Sequence, residues 1–100
     1  MGRMDEIAAV MSADELYERG KLLRDSKNEL ERMPTDAVKY FKKAAEKGHV
    51  DAKYELACMY EEGIGFVADI EKAKEYYNSA ANYGHSKAKR AAKRLEKRAT

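Results

Sequence analysis

The sequence predicts an all-α fold, a short α-solenoid of two helical hairpins plus a C-terminal capping helix, and three observations predict it. First, its 100 residues contain one Pro and no Trp, are rich in Ala, Glu and Lys, and hold few β-branched residues, a composition that favours helix throughout. Second, the chain repeats itself. Residues 37–53, AVKYFKKAAEKGHVDAK, lie over 73–89, AKEYYNSAANYGHSKAK, with 8 of 17 positions identical at an offset of 36, within the range of helical-hairpin repeats. A fainter register at an offset of 37 sets Tyr17 over Tyr54 and Gly20 over Ala57. Third, apolar residues recur at helical rather than strand spacing in every copy.

The elements follow in order. Residues 1–11 form an N-terminal extension or a short helix over 3–11, with Ile7 and Val10 as its apolar positions. SADE at 12–15 has the S-x-x-E form of a capping box and opens a helix over 13–27. Pro34, with Thr35 or Asp36, opens the next helix over 36–47, after the polar, divergent connection RDSKNELERMPTD. The third helix runs over 50–62, with Leu56, Met59, Tyr60 and Gly63 at i, i+3, i+4 and i+7 on one face. Gly63 and Gly65 stop it, and Phe66 and Val67 are expected to tuck into the core. Asp69 caps a fourth helix over 70–83, whose stripe is Ala73, Tyr77, Ala80 and Gly84. Residues 86–98 give a last helix with Ala88, Ala91, Ala92 and Leu95 inward. The domain boundaries implied are 1–11, a divergent first repeat at 12–49, a second at 50–85, and a basic capping helix at 86–100.

Composition excludes several classes. One Cys cannot make an internal disulfide framework, and no apolar run is long enough to span a membrane. The start MGRMDEIAAV turns acidic at once without an apolar signal core, and Glu6 stands where a myristoylation signal needs Ser or Thr. A cytoplasmic location is therefore expected, although the sequence leaves a non-classical export route open. Charge is unevenly placed. Residues 1–83 hold 13 Lys/Arg against 17 Asp/Glu, whereas 84–100 hold seven against Glu96 alone, giving an acidic body and a basic end.

The stretch AKYELACMYEEGIGFVADIEKAKEYYNSAANYGHSKAK resembles a Sel1-like repeat. Ala52, Leu56, Tyr60, Gly63, Gly65, Val67, Asp69, Lys72, Ala73, Tyr76 or Tyr77, Ala80, Ala81, Gly84, His85 and Ala88 occupy the places of that family's pattern. Ala57 replaces its usual Gly. The resemblance covers about 13–90 and is weaker in the first repeat, which matches around Gly20 and in its second helix. It implies a TPR-like, right-handed solenoid serving as an adaptor for protein–protein contacts.

Signatures of catalysis are absent. His49 and His85 follow a helix-ending Gly one repeat apart, so they do not converge as metal ligands must; their expected role is to cap the helix that follows. Cys58 has no activating base at a recognisable spacing, and GIGF lacks the Lys-Ser/Thr of a phosphate loop. The chain is expected to be non-enzymatic, without a cofactor or a metal.

In stacked hairpins the first helices line the concave surface. The resemblance to TPR-like repeats puts Tyr17, Lys21 and Arg24 there from the first repeat. Tyr54, Cys58, Glu61 and Glu62 come from the second, and Arg90, Arg94 and Lys97 from the last helix. The expected partner is another protein or peptide. The alternative is nucleic acid or an anionic surface held by the basic helix, although no aromatic residue interleaves its cations for base stacking. With only two and a half repeats to bury a continuous core, a weak homodimer through an end face or residues 3–11 is also expected.

Overall fold

A computed structural model describes residues 10–28, 32–65 and 67–98. Among the described residues five helices follow one another: α1 (Ala13–Asp25), α2 (Pro34–Glu46), α3 (Val50–Glu62), α4 (Ile70–Asn82) and α5 (Ser86–Arg98). Each has 13 residues, about 20 Å at 1.5 Å per residue, so neighbours match in length. No strand occurs among the described residues. Every helix packs on the next one in the chain, giving hairpins α1–α2 and α3–α4 with α5 laid on α4. The stack measures 43 × 27 × 23 Å and is elongated.

Local chemistry sets the helix ends. The Ser12 hydroxyl accepts from the Glu15 N–H at 3.1 Å while the Ser12 N–H donates to Glu15 Oε1 at 2.8 Å, the reciprocal pair of a capping box. Asp69 Oδ1 accepts from the Lys72 N–H at 3.1 Å. The second helix begins at Pro34, two residues before the position expected from Thr35 or Asp36, and Met33 precedes it without a side-chain cap. Pro34 suits the first helical position because its fixed φ is helical and its missing N–H would have had no partner there. Thr35 instead turns its hydroxyl to the Gly65 carbonyl at 3.3 Å. The two connections differ in sequence yet close on one backbone bond: Met33 N–H to the Leu23 carbonyl at 2.7 Å, and Asp69 N–H to the Tyr60 carbonyl at 2.8 Å.

The α2–α3 and α4–α5 turns are near copies. Gly48 and Gly84 take φ of 90° and 92°, a left-handed conformation that other residues adopt at a cost. The bonds Gly48 N–H to Ala45 and His49 N–H to Ala44 recur as Gly84 to Ala81 and His85 to Ala80. This is the Schellman arrangement, and it hands the chain directly from one helix to the cap of the next.

The core alternates large and small side chains. Leu16, Phe41, Leu56, Met59, Tyr77 and Leu95 are the largest fully buried ones, with Ala37, Ala44, Ala52, Ala73, Ala80 and Ala88 wholly inaccessible between them. Small residues let helices approach while aromatics fill the space between layers. Gly20 shows how tight this is, since a Cβ there would stand 2.8 Å from the Phe41 ring. The corresponding positions are Ala57, buried in α3, and Lys93, exposed in α5.

Val67 corrects an expectation: it is 88% exposed, not tucked into the core. Ile64 packs against the core from this loop, and the Asp69–Tyr60 backbone bond closes the loop without it. Phe66 and residues 3–9 lie outside the described residues, and Val10 is exposed. The first hairpin also leaves Leu22 and Met33 about half exposed.

Candidate functional site

Two histidines join the first helices of successive hairpins. His49 Nδ1 accepts the Ala52 N–H at 3.1 Å, capping α3 as expected, and His85 Nδ1 accepts the Ala88 N–H at 3.1 Å to cap α5. The other ring nitrogen reaches back one repeat: His49 Nε2 lies 3.0 Å from Asp14, and His85 Nε2 lies 3.2 Å from Asp51. An imidazole that accepts at Nδ1 carries its proton at Nε2 when neutral, so each ring donates to the carboxylate it faces. Each also stacks on a tyrosine of the preceding first helix, His49 on Tyr17 and His85 on Tyr54. Asp, Tyr and His thus form one clasp, used twice, that fixes α3 against α1 and α5 against α3.

The clasp accounts for Tyr17 and Tyr54 of the expected binding residues. Both rings are half-buried, and burial with nearby carboxylates pushes the Tyr17 hydroxyl up to about 12. Burial and the Cys58 thiol do the same for Tyr54. Lys21 is half-buried, its ammonium 5.2 Å from the Tyr17 ring centroid. Arg24 also holds helices together: it binds Glu55 Oε1 at 2.5 Å and Asp25 at 2.7 Å, and stands over the Phe41 ring.

Glu61 is the matching strut between α3 and α5. It accepts from Arg94 at 2.6 and 2.9 Å and from the Tyr77 hydroxyl at 2.8 Å, with Arg98 3.7 Å away. The Arg94 hydrogen bonds hold its carboxyl below the usual 4.5 against the opposing pull of burial. Burial, with Cys58 and Glu61 alongside, drives the Tyr77 hydroxyl upward, so it stays a proton donor. Cys58 Sγ sits 3.4 Å from that hydroxyl, and burial raises its thiol. A protonated, half-buried thiol is a poor nucleophile. Among the described residues, no group of three His, Cys, Asp or Glu is placed to hold a metal.

Between the C-terminal half of α1 and α3 lies a groove of about 460 Å³, lined by Arg24, Tyr54, Cys58 and Glu62 together with Asp25, Arg32, Pro34, Glu55, Met59 and Ile64. It brings together four of the expected residues. Tyr17, Lys21, Glu61, Arg90, Arg94 and Lys97 are not among its walls; the last three line a shallow hollow on α5 with Lys93 and Arg98. Sequence reasoning missed Asp14, Asp51 and Glu55. All three fall in the same offset of 37 that pairs Tyr17 with Tyr54, with Asp14 over Asp51 and Glu18 over Glu55; nothing in it marked Arg24 as the partner of Glu55.

The family model for the Sel1 repeat matches residues 7–49 and 50–85. The chain belongs to the Sel1 repeat family. Sel1 repeats serve in general as protein-interaction modules. This Sel1 repeat chain is 40% identical over 85 residues, 85% of its length, to chitin synthase regulatory factor 3 of Schizosaccharomyces pombe (strain 972 / ATCC 24843), and spans 9% of that protein. It is also similar to the crystal structure of a Sel1 repeat protein from Oxalobacter formigenes, with a TM-score of 0.77 and 28% identity over 83% of this chain and 34% of that one. No helix among the described residues is long and apolar enough to cross a membrane.

Proposed function

We propose that this Sel1 repeat chain is a non-catalytic adaptor that holds a partner polypeptide against the face formed by α1, α3 and α5. The observation that carries the reading is the doubled Asp–Tyr–His clasp beside an open groove. The clasps fix the spacing of the three helices before any partner arrives, and a preorganised surface loses less entropy on binding. The groove offers Tyr54, Ile64 and a thiol beside separated charges, a mixture suited to an extended peptide. The fungal relative is named a regulatory factor rather than a synthase, which accords with an adaptor.

Peptides selected from a random 12-residue display library against the folded chain provide the test. Two substitutions on the proposed face, Lys21→Glu with Ile64→Glu in the groove, are expected to weaken them at least tenfold while the helical spectrum is unchanged. The matched pair Lys42→Glu with Asn78→Glu, on exposed positions of α2 and α4, is expected to leave them unchanged. The opposite pattern overturns the proposal.

We also infer weak self-association through the end face where Leu22 and Met33 are exposed beside Asp14, Glu15 and Glu18. Sedimentation velocity should show a concentration-dependent dimer that Leu22→Asp abolishes. A single 11.4 kDa species at every concentration contradicts it.

A further inference from the structure

Arg90, Lys93, Arg94 and Lys97 fall at i, i+3, i+4 and i+7 along α5 and are all exposed, so they share one helix face over about 10 Å. With Arg98 they line a hollow of about 470 Å³ formed by Lys and Arg side chains alone. Glu61 neutralises part of the stripe through Arg94 and Arg98. Among the described residues, neither Arg90 nor Lys93 forms an ion pair. The helix dipole favours cations only in the last turn, and these two stand mid-helix, where like charges three and four residues apart oppose helix formation.

The register sharpens the anomaly. Arg90 occupies the position of Tyr17 and Tyr54, and Lys87 that of Asp14 and Asp51. The clasp residues of α1 and α3 have given way to cations in α5. The groove's Tyr54 wall abuts α5, because its ring stacks on His85, the residue that caps that helix.

We infer that the partner is an acidic peptide whose carboxylates dock on Arg90, Lys93, Arg94 and Lys97 while its apolar side chains enter the groove at Tyr54 and Ile64. This rests on the reading of α1, α3 and α5 as the binding face. Nucleic acid fits less well. The stripe spans about three phosphates of one strand, and Glu62, exposed on neighbouring α3, repels a polyanion that runs on. One face of the Tyr54 ring is already covered by His85, which leaves less of it for stacking a base. A membrane surface fits less well too, since no large apolar side chain is exposed on α5.

The library-selected peptides test this by fluorescence polarisation, with a (dT)12 oligonucleotide and phosphatidylserine vesicles as competing probes. The expected peptides are enriched in Asp and Glu and weaken at least tenfold when those residues become Asn and Gln. Arg90→Glu with Lys93→Glu, checked for an unchanged helical spectrum, should lose the same factor. The peptide substitutions need no altered protein, so misfolding of the variant leaves the test intact. Peptides without acidic excess that bind parent and variant alike overturn the inference and leave the binding face standing. No peptide on this face, with firm binding of (dT)12 or vesicles, overturns both.

Discussion

The His85 imidazole lies flat on the Tyr54 ring, with centroids 4.4 Å apart and planes 18° from parallel, and His49 repeats the stack on Tyr17 at 4.3 Å and 25°. Each histidine closes one helix, starts the next and grips the helix one repeat back. A single residue type thus sets both the local turn and the spacing of the stack.

Removing a clasp should therefore cost more than removing a cap. Loss of a side-chain N-cap costs about 1 kcal/mol, and a stacked ring pair adds about 0.5–1.5 kcal/mol. His85→Ala is expected to lower stability by about 2 kcal/mol in urea denaturation. His85→Asn, which keeps a capping acceptor without the ring, should recover about half. Equal losses for the two would show that the stack contributes nothing.

The tautomer is also specified. Long-range nitrogen–proton NMR spectra at about pH 8, where an ordinary imidazole is neutral, should show both histidines protonated at Nε2. A proton on Nδ1 of either ring would contradict the caps at Ala52 and Ala88.

Tight packing predicts intolerance of single methyl groups and of larger insertions. Gly20→Ala places its Cβ 2.8 Å from Phe41 and should cost about 1–3 kcal/mol despite the better helix propensity of Ala. Phe41→Leu should cost less in the Gly20→Ala background than in the parent. Ala44→Leu and Ala80→Leu, at wholly buried positions, should each cost a similar 1–3 kcal/mol, about the overpacking range. Melting at the parent temperature by any of these variants would refute the packing.

Acid should loosen α5 from α3. The Glu61 carboxyl is held below its usual 4.5 in the folded chain, so its stabilisation is complete above that value and is lost as pH falls through the lower, folded one. Glu61→Gln should lower stability at neutral pH and flatten its decline below about pH 4.5. A decline as steep as the parent's would assign the acid sensitivity to other carboxylates.

The helices and their turns were legible because their signals are local. Ser12, Asp69, Gly48 and Gly84 each act within a few residues, and the stripe Ala73, Tyr77 and Ala80 declares its buried face by spacing alone. Pro34 was harder, since the start of α2 depends on a bond from Met33 back to Leu23, ten residues away. Val67 was misjudged because hydropathy does not reveal which of two neighbouring apolar residues the loop turns inward; Ile64 takes the contact. The face itself was legible as a set of positions. Its ion pairs were not, because Arg24–Glu55 and Glu61–Arg94 join residues about thirty apart, and only stacking brings them together.

The most direct measurement is an amide-resolved NMR titration of the labelled chain with a library-selected acidic peptide. Shifts concentrated at Lys21, Tyr54, Cys58, Glu62 and Arg90, with Lys42 and Asn78 unmoved, are the result predicted for a partner held across α1, α3 and α5. Shifts concentrated on α2 and α4, with those five residues unmoved, would contradict it.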